Sequence, residues 1–218
     1  YLSVFMASML GLVLSDNVIS LFIFWELTSI SSFFLIGFNN ENEASRKNAQ
    51  LSLAITGLGG FFLLGGFILL GLVNGNYSIQ DMMTNSAYIQ DSSLYGGIIL
   101  FIFLGAFTKS AQFPFHFWLP KAMQAPTPVS AYLHSATMVK AGIYLLARFS
   151  PVLGDNPYWN YTLMIVGGAT MLFAATNALF KTDLKGVLAY STIAVLGMLT
   201  LMIGIGTPLA LKAAVTFI

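Results

Sequence analysis

The sequence predicts an all-α integral membrane protein. Three observations carry that reading: scarce charge, long apolar runs, and loop charges that sort by side. Only 8% of the 218 residues are Asp, Glu, Lys or Arg, against about 25% in a soluble domain. Apolar residues make up 57%, and the mean hydropathy is +0.80. So few charges cannot coat a water-facing surface, which also excludes disorder, collagen and coiled coil. A membrane barrel would show alternating strands of roughly 10 residues, and these runs are longer and continuous. The formal net charge is +1, so there is no basic field for nucleic acid. Cysteine is absent, which removes disulfides, thiolate metal sites, iron–sulfur clusters and cysteine nucleophiles.

Taken in order, the chain opens inside an apolar run, Tyr1 to Leu14, with no basic flank. That run reads as the second half of a spanning helix, not as a signal peptide. Crossing a hydrocarbon core of about 30 Å takes about 20 apolar residues. Six segments qualify: Asn17 to Phe38, Ala49 to Val73, Leu94 to Leu119, Thr127 to Arg148, Trp159 to Phe180, and Val187 to Gly206. The final residues, Ala213 to Ile218, stop inside another apolar run. Six complete transmembrane helices with partial helices at both ends are therefore expected, as in a piece of a longer protein.

Loop 39–48 holds Arg46 and Lys47, turn 120–126 holds Lys121, and turn 181–186 holds Lys181 and Lys185. Loop 74–93 holds Asp81 and Asp91, and loop 149–158 holds Asp155 after Arg148. Alternating sides gathers the five basic residues on one face, against Arg148 and Lys212 on the other. The positive-inside rule makes loops 39–48, 120–126 and 181–186 cytoplasmic. Thr127-Pro128 reads as a helix cap with a first-turn proline. Trp118 and Trp159 are expected at the headgroups. Gly57, Gly59, Gly60, Gly65 and Gly66 thin one helix for close packing. Asp183, between Lys181 and Lys185, reads as a solvated turn with local pairing.

Against this background, buried charges stand out. A charge at a helix centre costs roughly 2.5–3.5 kcal/mol on insertion scales. Glu26 and Lys140 lie deep in their segments. Lys109 lies roughly 22 Å along its own. His134 is shallower. A structural Glu–Lys ion pair would account for one acid and one base. Two lysines and a histidine against one glutamate need more than that. Desolvation disfavours the charged form of any buried ionisable group, and such residues in spans mark ion pathways by default. Proline at 114, five residues after Lys109, removes a backbone donor and predicts a helix broken between Lys109 and Pro114. Ser110 and Gln112 are placed to bond the freed carbonyls. Breaks at membrane depth line water or ion sites in transporters. His134 and Lys140, six residues apart, fall on different faces of a regular helix and read as successive stations. His116 reads equally as a structural hydrogen bond or a role. No metal site is expected, since the two histidines have no carboxylate nearby in sequence. No phosphate loop, dinucleotide fingerprint or haem signature appears, so no cofactor is expected and energy must come from an ion gradient or partner subunits.

The same residues resemble a known family. Phe24-Trp25-Glu26-Leu27, the run Gly105-Ala106-Phe107-Thr108-Lys109-Ser110-Ala111-Gln112-Phe113-Pro114, and the long motif from Ala125 through His134 to Gly142 are similar to the antiporter-like membrane subunits. These are shared by respiratory complex I, membrane-bound hydrogenases and Mrp-type sodium/proton antiporters. Thr182-Asp183-Leu184-Lys185-Gly186 through Thr192 resembles a further family motif. The resemblance implies a fourteen-helix fold with two inverted five-helix repeats. Residues 1–148 would run from the end of helix 4 to helix 8 of the first repeat, and 149–218 would hold helices 9, 10 and the start of 11. It implies proton-translocating roles for Glu26, Lys109 and His134. Lys140 after Thr137-Met138-Val139, with the Phe113-Pro114-Phe115-His116 variant, resembles the large A subunit of the Mrp branch. The implied function is proton movement in a multisubunit sodium/proton antiporter of the cell membrane. Its implied partners are other membrane subunits, protons, sodium and the lipid bilayer. The rivals are the redox-driven pump subunit of complex I or a hydrogenase, and a structural scaffold whose charges only pair helices. In the expected mechanism Glu26 packs close to Lys109 and controls its proton, while Lys140 and His134 pass protons onward.

Overall fold

Asparagine side chains start the first long helices. In the computed structural model, which describes residues 1–123 and 125–218 and leaves the side chains of 134–136 outside that description, α1 (Leu2–Leu14) leads into α2 (Val18–Ile36) and α3 (Glu43–Asn74). Asn17 accepts from the Ile19 N–H and Asn42 from the Ala44 N–H, each satisfying a donor that the first turn leaves open. α3 runs 32 residues and takes in most of the expected loop 39–48. Glu43 in its first turn suits the positive helix end and pairs with Lys47 at 2.6 Å. Left-handed Gly75 (φ 81°) closes it.

The expected loop 74–93 also folds, into α4 (Ile79–Thr84) and α5 (Ser86–Gln90). Its apolar residues Ile79, Met82 and Ile89 are fully buried, which gives these short helices a face to dock. The chain continues through α6 (Tyr95–Lys109), a 3₁₀ turn at Phe115–Phe117, α7 (Trp118–Ala122), α8 (Thr127–Ser130), a π-helical turn at Ala131–Thr137 and α9 (Lys140–Leu153). It ends in α10 (Pro157–Leu179), α11 (Leu184–Ile205) and α12 (Pro208–Phe217). Helix is the regular structure of the described residues. Among the described residues, four helices are long and apolar enough to cross a membrane unbroken: α2, α3, α10 and α11. The segments expected at 94–119 and 127–148 are each interrupted, the second by the π turn. There the Met138 N–H and the Thr137 hydroxyl bond carbonyls five residues back, Leu133 and Tyr132, at 2.9 and 2.8 Å. That wider turn shifts the helix phase, so the regular-helix rotation expected between His134 and Lys140 does not apply.

Several local expectations change. α8 starts at Thr127 itself, without a side-chain cap. Trp118 and Trp159 are fully buried. The Trp118 indole N–H donates to the Thr108 carbonyl at 2.9 Å, and Trp159 packs on Phe103 with ring centroids 4.9 Å apart. Asp183 caps α11 by accepting from the Gly186 N–H at 2.7 Å. Lys185 turns away from it and donates to the Met123 and Ala125 carbonyls, each at 3.1 Å.

α3 sits between α2 and α6, and α10 pairs with α11 along its length. The glycines of α3 do thin it. A Cβ on Gly59 would collide with Thr108 of α6, and one on Gly60 with the Glu26 carboxylate of α2. Gly65 and Gly66 back onto Phe101 and Ile102, while Gly57 faces open space.

Candidate functional site

α6 brings one lysine to its very end, fully buried. Lys109 Nζ donates to the Trp25 carbonyl at 3.2 Å, to Thr28 Oγ1 at 2.7 Å and to Ser29 Oγ at 2.6 Å. It also lies 5.0 Å from the centre of the Trp25 ring, a cation–π distance. Residues 25, 28 and 29 fall on one face of α2, as positions three and four apart do. An ammonium carries three protons, and the cradle offers three acceptors. The Thr28 and Ser29 hydroxyls themselves donate to the Trp25 carbonyl, at 2.7 and 3.3 Å, which frees their oxygens to accept. A neutral amine has a lone pair, and either hydroxyl can rotate to donate to it. The cradle therefore holds the lysine in both protonation states.

The break that places Lys109 begins earlier than Pro114. Ala111 adopts φ 49°, a left-handed conformation that costs a non-glycine residue roughly 1–2 kcal/mol. The Gln112 N–H then bonds the Phe107 carbonyl at 2.9 Å, the closure of a left-handed helix end. Pro114 follows a cis Phe113–Pro114 bond and keeps the helix from resuming, since it has no N–H to give. Gln112 Nε2 donates to the Ser110 carbonyl at 3.2 Å, as expected of it. The Ser110 hydroxyl goes elsewhere, to the Val139 carbonyl at 2.6 Å in the second interruption. The Phe113 N–H donates to Thr170 Oγ1 on α10 at 3.0 Å.

Glu26 lies one residue past the cradle's carbonyl. Its carboxylate backs onto Gly60, and Oε1 is buried without a hydrogen-bond partner. The ion pairs among the described residues are Lys47–Glu43 and Arg148–Asp16, so Glu26 and Lys109 do not touch as an ion pair. Their opposite charges act on each other through the interior. Lys140 opens α9 and donates to the Ile218 carbonyl at 2.8 Å, away from the cradle. His134 lies in the π-helical turn, and its side chain is outside the described residues. His116 stacks on Phe113 and meets Phe173 of α10 edge-on, with Nδ1 buried and unpartnered.

Sequence reasoning found the lysine and missed what holds it. Trp25, Thr28, Ser29 and Thr170 were not singled out. The signal was there: Thr28, Ser29, Ser31 and Ser32 interrupt an apolar span just after Glu26. Chemically, the site presents one buried base, a satisfied cradle and a nearby carboxylate without a partner, which suits a proton that arrives, waits and leaves.

Residues 15–218 match the family model described as NADH:quinone oxidoreductase/Mrp antiporter, TM. The chain is 56% identical over 206 residues to the Na(+)/H(+) antiporter subunit A1 of Staphylococcus aureus strain JH9, and equally to that of strain Newman. The match takes in 94% of this chain and 26% of each relative, so the chain spans about a quarter of the length of the curated relatives it matches. The solved Mrp complex from Dietzia sp. DQ12-45-1b is similar at a TM-score of 0.94 and 46% identity, over 99% of this chain and 24% of that one. A membrane-bound sulfane sulfur reductase, an archaeal respiratory membrane complex, shares the fold at a TM-score of 0.79 and 24% identity, over 98% of this chain and 46% of that one.

Proposed function

The chain belongs to the NADH:quinone oxidoreductase/Mrp antiporter transmembrane family, and from that membership we propose that it forms part of the proton path in a multisubunit sodium/proton antiporter. The observation that carries this reading is the three-acceptor cradle around a fully buried lysine at the end of a broken helix. Residues 1–148 are the first inverted repeat of a fourteen-helix core and 149–218 the start of the second. The protein is a secondary transporter and not an enzyme. It sits in the cell membrane with loops 39–48, 120–126 and 181–186 toward the cytoplasm. Other membrane subunits complete the complex, and sodium is the exchanged cation. Lys140 favours the Mrp branch over the redox-driven one.

Lys109 is the central proton carrier. Its cradle switches between accepting from an ammonium and donating to an amine by hydroxyl rotation. The position of the Glu26 carboxylate relative to the ammonium sets how readily the lysine exchanges its proton. His134 and Lys140 hand protons toward the second repeat.

The test is cation-driven proton movement in everted vesicles that carry the full complex, with no electron donor. Sodium-dependent pH change should be present in wild type and fall to background in Lys109→Ala. Undiminished transport by Lys109→Ala overturns the assignment. Donor-driven pumping without a sodium response moves the protein to the redox-driven branch.

A further inference from the structure

Four groups of α2 surround the Lys109 ammonium, and one of them differs in kind. The Thr28 and Ser29 hydroxyls, at 2.7 and 2.6 Å, accept from an ammonium or turn to donate to an amine. The Trp25 carbonyl, at 3.2 Å, accepts an N–H from either form. The Trp25 ring has the lysine Nζ over it, 5.0 Å from its centre. It attracts the ammonium through its quadrupole and has little pull on a neutral amine. That attraction grows where water is excluded, and both side chains are fully buried. Helix geometry makes the arrangement. Side chains lean toward the helix N-terminus, so Thr28 and Ser29 reach back to the level of the Trp25 carbonyl, and one turn of α2 presents all four groups.

Packing alone does not ask for tryptophan here. A phenylalanine would also fill an apolar place and would bring no donor to bury. The Trp25 indole N–H is buried without an acceptor among the described residues, although a buried indole usually finds one. An unpaired buried donor is costly. Tryptophan is also the best aromatic face for a cation, which accounts for its use at this position. Other charges do not take the ring's place. From α2, Glu26 also acts on Lys109 through its opposite charge, without an ion pair. The other elements meet the end of α6 with uncharged groups: Gly59 of α3 and Gly142 of α9, the Val139 carbonyl, the Trp118 indole and Thr170 of α10. Lys140 and His116 are turned to Ile218 and to Phe173, and the His134 side chain lies outside the described residues.

We propose that Trp25 is a positioning residue that keeps the proton on Lys109, and that its ring sets the most alkaline pH at which the lysine still loads. The proposal rests on the reading of Lys109 as a proton carrier. The ring neither takes nor gives a proton. It lowers the energy of the ammonium relative to the amine, so the lysine stays charged to a higher pH than the hydroxyls and the carbonyl alone would allow. The sign follows directly: when the ring pulls less, loading fails at a lower pH.

The test is the pH profile of sodium-driven proton movement in everted vesicles that carry the full complex, each profile scaled to its own maximum. Trp25 is replaced by tryptophans with one, two and three ring fluorines, which draw charge from the face and leave the shape nearly intact. Each added fluorine should move the alkaline limb further toward lower pH. Trp25→Leu, which removes the face, should move it by about one pH unit, a tenfold change in proton retention, with Trp25→Phe in between. A limb that stays in place through the fluorine series overturns the proposal, and so does a shift to higher pH. Co-purification of the partner subunits checks that each variant assembles; where Trp25→Leu does not, the fluorine series decides. Lys109→Ala separates the two claims. If it is inactive and fluorine leaves the limb unmoved, only the role of Trp25 falls. If it transports normally, the reading of Lys109 falls first.

Discussion

Thr28 and Ser29 do for Lys109 what a counter-ion does elsewhere, and without adding charge. A hydrogen bond to a charged group contributes about 1.5–3 kcal/mol. The double variant Thr28→Val with Ser29→Ala leaves the ammonium one acceptor, the Trp25 carbonyl. It should abolish transport and lower the melting temperature of the complex, while Thr28→Ser keeps both. Lys109→Arg should also lose transport, because a planar guanidinium fits a three-cornered cradle poorly. Lys109 and Glu26 were legible in the sequence because a charge among apolar residues is conspicuous. Their surroundings were not. A hydroxyl in a span satisfies itself on its own helix, so its sequence position says nothing of which neighbour it serves.

At the scale of elements, the end of α6 sets the site. Pro114 signalled a break, yet the helix stops at Lys109 because Ala111 turns left-handed and the Gln112 N–H closes back on Phe107. That choice depends on partners far along the chain, Thr170 and Val139 among them, which spacing cannot reveal. Ala111→Gly should preserve transport, since glycine takes this conformation freely. Ala111→Val should lose it, because a β-branched side chain resists positive φ. A co-purification assay for assembly, run beside the vesicle assay, checks both. The glycines of α3 were read for close packing, and Gly60 shows how close. Gly60→Leu should displace the Glu26 carboxylate and reduce transport more than the same change at Gly57, which faces open space.

At the scale of the molecule, the late helices return to the break. α10 reaches it through Thr170, and α11 reaches the following turn through Lys185. Thr170→Val removes the acceptor for the Phe113 N–H and should slow transport in an assembled complex, as measured in vesicles, because the break loses its hold on α10. Hydropathy read the membrane class and the places of α2, α3, α10 and α11 well. Pro114 marks the break inside 94–119 in advance, whereas 127–148 reads as one continuous span because a window average does not register a π turn. Hydropathy also read 74–93 as plain loop, where three buried apolar residues dock two short helices.

The bond from Ser110 to Val139 has a mechanical side. Gly142 presses against the Ser110 hydroxyl, and a Cβ there would also meet the Ala106 carbonyl at 2.5 Å. The ends of α6 and α9 are thus keyed like a tooth in a slot. With so little space between them, the start of α9 and the end of α6 that carries Lys109 can shift only as one piece.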